Sequence, residues 1–425
     1  MSKRLRTILP AAILLGMGLL WVLLGPESVR EGRCRLVRKK ADPESPLMGL
    51  AIRSITPLEA KPDSARDLPA GFGQPRYYTI DSGDKPILMA ADYSQKLVRL
   101  CVDTDGDGVL SEERCFTARV SEKTPVSGSR QRLGPISLIS RDRAGRTNDG
   151  FYVNCFREDA RGLLIPFPAS FRTGKLRLAG RTYQVALVDG DYDGVFKSIL
   201  SLPLGNRTVA RPGCDLFAID LNHNGEFESS LRDRSEVMPL GRLVKVGDDY
   251  YAIDTVSDGT RLVLSKAEPQ LGTLNVDAND ASVAVRLWSD AADQHLLQSC
   301  DRHLPAGQYA TIYAVLTIKD AAGDIWTLSS FTPGFTAACM GSLDFFTIEP
   351  GETTSIKIGP PFVIKTHLQR WGYGAVVGID PVIVGCAGEQ YSPAFLRNGK
   401  RAGPIPFKIV DEKGTVLLSD KVGYT

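Results

Sequence analysis

The sequence predicts a mainly β chain, made of several β-rich domains behind one apolar N-terminal segment. Three observations carry this. From Tyr77 onward, short apolar runs are separated by Gly, Asp and Asn at close intervals. Neighbouring runs are joined by tight-turn sequences such as Asp258-Gly259, where glycine supplies the positive φ of a hairpin turn. Helical periodicity is almost absent, apart from a few residues after the acidic loop Val102–Glu113 and the stretch Asp290 to Cys300. The chain has 425 residues, 43% of them hydrophobic and 24% charged, a globular balance with length for roughly two to four domains.

The N-terminus differs from everything after it. Lys3, Arg4 and Arg6 precede an apolar run from Ile8 to Leu24, the pattern of an export signal or signal-anchor. The run is nearly long enough to span a bilayer, and small residues at signal-peptidase spacing are missing near Gly25-Pro26. An uncleaved membrane helix over residues 1–26 is therefore expected. Arg30, Arg33, Arg35, Arg38, Lys39 and Lys40 follow it and leave the topology ambiguous on charge alone. Residues 27–73 carry Pro, Arg, Lys and Ser without sustained periodicity and read as a linker or stalk.

Three domains are expected beyond the linker, over 74–157, 158–270 and 271–425. In the second, Leu243–Val246 meets Tyr250–Ile253 across Gly247-Asp248-Asp249, and Asp258-Gly259 turns the chain again toward Leu262–Leu264. In the third, alternation over Ser282–Trp288 and Thr311–Ile318 points to a β-sandwich of immunoglobulin or transthyretin type, with Trp288 and Trp326 as core residues. A last hairpin joins Phe407–Val410 to Thr415–Leu418.

Chemistry is concentrated in three acidic loops, each following an apolar strand. Asp103, Asp105 and Asp107 stand at the first, third and fifth places of the first loop, with Gly108 next, the Val109 carbonyl at place seven and apolar Leu110 at place eight. The second loop has Asp189, Asp191, Asp193, Gly194 and Val195 in the same order, and the third has Asp220, Asn222, Asn224, Gly225 and Glu226. Alternate oxygens converge on one point when glycine permits the sharp turn, and a hard cation that takes six to eight oxygens fits that focus. Calcium is the expected cofactor, since magnesium retains water and uses fewer protein ligands. Asp215, Glu226 or Glu228 is expected to complete the second or third loop, the two lying side by side.

These loops resemble the EF-hand family and the related loops of dockerins and thrombospondin-type repeats, over about a dozen residues each. The resemblance implies calcium. It departs at place twelve, where the family's bidentate Glu is replaced by Arg114, so Glu112 or Glu113 must serve instead. No long helix precedes the first loop, so the resemblance does not extend to a paired-helix switch. More loosely, the phrases Ala186–Asp191, Phe217–Asn222 and Gly388–Pro393 are similar to large uncharacterised exported proteins of planctomycete-like bacteria, a group that brings no activity with it.

Eight cysteines contain no Cys-x-x-Cys pair, which disfavours redox and zinc-ribbon chemistry. Cys101 and Cys115 bracket the first loop and form one candidate disulfide; Cys300 and Cys339 form another. The four histidines show no zinc or hydrolase spacing. Lys and Arg total 51 against 49 Asp and Glu with no basic face, so nucleic acid is not expected as a partner. The expectation is an exported, non-enzymatic calcium-binding protein in the periplasm or at the cell surface. It would be held to the inner membrane by its N-terminal helix and would meet an envelope protein or polysaccharide. A secreted glycosidase-like hydrolase with structural calcium is the alternative.

Overall fold

The computed structural model describes residues 31–42, 45–48, 55–80, 86–120, 130–137, 150–156, 162–202, 213–228, 236–291, 294–297, 302–330, 340–371, 376–392, 395–403, 405–410 and 413–422. The N-terminal apolar run lies outside them. Among the described residues no helix is long and apolar enough to cross a membrane. Among the described residues the regular structure is mainly strand, with short 3-10 turns.

The first unit has two four-stranded antiparallel sheets. One runs in chain order through Pro75–Ile80, Ile87–Asp92, Arg99–Val102 and Cys115–Thr117. The other runs through Arg119–Val120, Arg130–Ile136, Phe151–Phe156 and Leu164–Pro168. Tyr78, Met89, Leu100 and Val102 of the first meet Leu133, Phe151, Val153 and Leu164 of the second in one core.

The second unit is built around Arg181–Val188, which lies between Ser170–Leu178 and Leu216–Ile219, with Val237–Pro239 beyond. Successive side chains of a strand point to opposite faces, and here both faces are buried. Tyr183, Val185 and Leu187 join Phe217, Ile219, Val244 and Leu262 on one side. Ala186 and Val188 join Leu216, Ala218, Trp288 and Ile312 on the other. Double burial explains why this segment reads as a near-continuous apolar run. The hairpins expected in this unit are present: Leu243 pairs with Ala252 and Val246 with Asp249, and Thr255 pairs with Leu262.

The region read as a linker departs from expectation. Arg33–Arg35 pairs with Arg261–Ala267, and Val37–Lys40 pairs with Ser170–Leu178, each at a sheet edge. Cys34 and Leu36 point into the core of the second unit, and Leu47 and Met48 into the cluster on the opposite face of its main sheet. Ile55 then bridges to Leu164 and Arg66 to Val109 in the first unit. The cations around Cys34 and Leu36 conceal an ordinary two-residue alternation.

Beyond residue 270, Leu271–Asp277 pairs antiparallel with Arg302–Pro305 and parallel with Thr353–Lys357. A larger sheet centres on Ser282–Ser289 and Gly307–Lys319, and both sheets contribute to one core that includes Leu274, Val276, Val285, Leu287 and Leu316. Trp288 is fully buried; Trp326 is half-buried and donates its indole N–H to Asp320 over 2.8 Å. Within the stretch Asp290 to Cys300, expected to be helical, the described residues Gln294–Leu297 form a strand paired with Ser282–Ser289. The C-terminal hairpin joins Ile405–Val410 to Val416–Val422.

Candidate metal centres

All three acidic loops adopt one backbone course. The glycine at place six donates its N–H to the first aspartate: Gly108 to Asp103 (3.0 Å), Gly194 to Asp189 (2.9 Å) and Gly225 to Asp220 (2.9 Å). The place-five N–H is directed at the place-three oxygen in each, Asp107 to Asp105, Asp193 to Asp191 and Asn224 to Asn222. The place-seven N–H meets the place-five side chain, Val109 to Asp107, Val195 to Asp193 and Glu226 to Asn224. Those three place-six glycines are left-handed, at φ of +82°, +77° and +84°. Place four is left-handed too, at Gly106, Tyr192 and His223. Leu110, Phe196 and Phe227 at place eight are buried, each anchoring its loop to a core.

What the linear motif lacks at place twelve arrives from the next strand. In loop one, Glu113 lies two residues before Cys115–Thr117 and accepts hydrogen bonds from the Thr104 N–H (3.0 Å) and hydroxyl (2.6 Å). One carboxylate oxygen each from Asp103, Asp105 and Glu113 lies within 4.8 Å of the others. Glu113 thus takes the place left open between Glu112 and Glu113. Glu112 is exposed. Asp107 stays outside this group and receives the Val109 N–H over 2.7 Å, while the Val109 carbonyl accepts a long 3.4 Å bond from the Glu112 N–H. The disulfide expected at the base of the loop is present, joining Cys101 and Cys115 at register-paired positions 4.5 Å apart between Cα atoms. Cys300 and Cys339 lie outside the described residues.

In loop two the closing acid is Asp215. Val188 pairs with Leu216 across the sheet, so the residue after one strand faces the residue before the other. That register sets Asp189 beside Asp215, although they are far apart in sequence. Asp215 accepts the N–H groups of Gly190 (3.2 Å) and Ser198 (2.9 Å). One oxygen each of Asp189, Asp191 and Asp215 falls within 4.8 Å of the others, and the three are 6%, 5% and 0% exposed. Asp193 and Val195 stay outside this group, paired with each other through the Val195 N–H.

Loop two is electrostatically the most demanding. Burial, reinforced by the charges of Asp191 and Asp193, raises the Asp189 carboxyl well above the usual carboxylate range. Burial and the charges of Asp189 and Asp191 do the same to Asp215. Burial also raises Asp103 in loop one. Asp189 Oδ1 is buried without any hydrogen-bond partner. A buried carboxylate oxygen with no donor is costly unless a proton or a cation meets it. Several carboxylate oxygens around one focus are a donor set suited to a hard divalent ion.

Loop three is softer. Its closing acid is Glu236, directly before Val237–Pro239, which receives the N–H groups of Leu221 (2.7 Å), Asn222 (3.0 Å) and Glu228 (3.2 Å). Asn222, Asn224 and Glu226 are exposed, and the Asn224 amide donates to Glu228. Among the described residues, three carboxylates converge at loops one and two and not here. The expectation that loops two and three lie side by side is overturned. Their parent strands are antiparallel neighbours, so the loops leave from opposite ends of the sheet. Asp215 therefore serves loop two, and Glu226 and Glu228 cannot reach it.

Glu113, Asp215 and Glu236 share one signature, acceptance of the place-two N–H from Thr104, Gly190 and Leu221 respectively. Glu236 escaped the sequence reading. Its signal was present, an acid immediately ahead of an apolar run, as with Asp215 ahead of Leu216.

Comparison with protein families finds none that matches the chain, and comparison with curated proteins finds no match. Among solved structures, the chain aligns with one described as "Crystal Structure of Gram Negative Toxin" at 9% identity and a TM-score of 0.08. The alignment covers 64% of this chain and 58% of that one, a likeness too slight to carry fold or function across.

Proposed function

We propose that this chain is an exported, membrane-tethered calcium-binding structural protein of the cell envelope, in which calcium orders β domains. The supporting observation is the buried Asp189, Asp191 and Asp215 group with its unpartnered oxygen. Crowded carboxylates repel until a cation neutralises them, so binding free energy becomes folding free energy. Loop one, with Asp103, Asp105 and Glu113, is the second site, and loop three the weakest.

Calcium rather than magnesium is favoured by the number of available oxygens and by loops in which acids alternate with backbone carbonyls. The N-terminal Lys/Arg-flanked apolar run supports export and tethering to the inner membrane, with the body in the periplasm or at the surface. The Cys101–Cys115 bridge suits an oxidising compartment. The C-terminal unit, read as a β-sandwich of immunoglobulin or transthyretin type, is the proposed contact for an envelope protein or polysaccharide. The gathered acids converge three at a time on one focus, which suits an ion better than an acid and base flanking a glycosidic bond, so a structural role is preferred to hydrolysis.

Terbium luminescence and calorimetry test this reading on the purified chain. The expected result is saturable binding reversed by EDTA, with at least two ions per chain. Absence of saturable binding up to roughly millimolar calcium, the range of extracellular modules, ends the proposal.

A further inference from the structure

Place four is where the loops diverge. In loops one and three it holds exposed Gly106 and exposed His223. In loop two it holds Tyr192, whose side chain leaves the second unit altogether. Tyr192 is 1% exposed and belongs to the core of the first unit, with Tyr78, Leu133, Phe151 and Val153. Its ring centroid lies 5.4 Å from that of Phe151, and its hydroxyl donates to the Pro166 carbonyl over 3.1 Å. Four residues later, Phe196 packs into the core of the second unit with Leu187 and Val244. One short loop thus holds an aromatic anchor in each of two cores.

The metal ligands lie between and beside those anchors. Tyr192 sits between Asp191 and Asp193 at a left-handed φ of +67°, a conformation unfavourable for a bulky residue unless its surroundings impose it. Asp189 and Asp215 tie the same loop to adjoining strand ends of the second unit. The loop also presses against the chain there: a Cβ on Gly190 would stand 2.1 Å from the Cys214 carbonyl oxygen.

We infer that a divalent cation held by Asp189, Asp191 and Asp215 fastens the first β unit to the second, by fixing the loop course that seats Tyr192 in the neighbouring core. This rests on the cation reading of loop two and adds a consequence for the molecule. With the ion in place, the three carboxylates are drawn to one focus and the Tyr192 backbone is fixed. Without it, their repulsion is relieved by opening the loop, and the ring withdraws from beside Phe151. The buried, unpartnered Asp189 oxygen is a carboxylate atom left for the ion to meet. Loops one and three stabilise only their own units, since Gly106 has no side chain and His223 packs on Tyr183 of its own unit, ring centroids 4.8 Å apart.

Hydrogen exchange read by mass spectrometry on the full chain tests this, with calcium and with EDTA, alongside calorimetric ion counting. Calcium is expected to slow exchange in Phe151–Phe156 and Leu164–Pro168 by about tenfold or more, although neither strand contributes a ligand. Asp215→Asn is expected to lower the ion count by one and abolish that slowing, while terbium still reports loop one. Tyr192→Ala is expected to keep the ion count and lose the slowing; Tyr192→Phe, which forfeits only the hydroxyl bond, keeps both. If Tyr192→Ala does not fold, the wild-type and Asp215→Asn comparison decides alone. An unchanged ion count in Asp215→Asn sinks the cation reading itself. Calcium binding at loop two with a smaller change in the two strands overturns the fastener and leaves the cation reading standing.

Discussion

Asp189 shows how one side chain carries opposite consequences with and without an ion. Its Oδ2 accepts the Gly194 N–H while its Oδ1 is buried without a hydrogen-bond partner, in a carboxyl gathered with those of Asp191 and Asp215. In Asp189→Asn the carbonyl can keep the glycine bond, and the new amide N–H replaces an unpartnered oxygen in this acidic group. Melting in EDTA should therefore rise, by about 1 to 3 kcal/mol of stability, the cost of an unsatisfied buried polar group. The further rise produced by calcium in the parent chain should disappear. A fall in EDTA would contradict the account. In loop one the distinction is between neighbours: Glu113→Gln should weaken terbium binding by about tenfold or more, whereas Glu112→Gln, whose side chain is exposed, should leave it within about twofold. Equal effects of the two would mean that the loop is not closed as described. Residue chemistry was legible in advance where it was local. The alternating acids and glycines announced the loops, but Asp215 was only one candidate among several and Glu236 was not seen, because each closing acid acts through cross-strand register.

At the scale of elements, the antiparallel pair is the working part. A strand delivers the first aspartate, and the start of the following strand returns the closing acid to it, once at Arg99–Val102 and Cys115–Thr117 and again at Arg181–Val188 and Leu216–Ile219. In the first case the pair is also cross-linked. The Cys101–Cys115 bridge closes a loop across a sequence separation of 14, so its removal should cost roughly 3 kcal/mol by loop-closure entropy. Because the bridge fixes the ends of loop one, reduction should weaken terbium binding there and leave the calcium dependence of loop two unchanged, which Glu113→Gln and Asp215→Asn controls separate. Hairpins were readable because Asp-Gly and the alternation on both sides agree on one register. The short strand Gln294–Leu297 was misread as helix, since four residues are too few to distinguish the two periods.

For the whole molecule, residues 31–42, 45–48 and 55–66 act as a belt: the first of these pieces edges two sheets of the second unit, and the last meets the first unit at Ile55 and Arg66. Leu36 is 2% exposed in this belt and Val37 is 62% exposed. Leu36→Ala should cost about 2 to 5 kcal/mol in urea unfolding, and Val37→Ala should stay within about 0.5 kcal/mol. Similar small effects from both would make the belt a passive strap. The mainly β architecture was legible from the turn spacing. The belt was not, because six cations in the eleven residues from Arg30 to Lys40 mask two inward-facing apolar side chains.

The closing acid's arrival with a second strand separates coordination from contour length. From first aspartate to closing acid the chain travels 10 residues in loop one (113 − 103), 26 in loop two (215 − 189) and 16 in loop three (236 − 220). Pairing register, not the intervening sequence, decides where the acid lands. Insertions after place eight can accordingly accumulate in such a hairpin without disturbing its acids, which makes that stretch a natural graft point for new surface. It also means that a search for twelve contiguous residues will pass over centres of this kind.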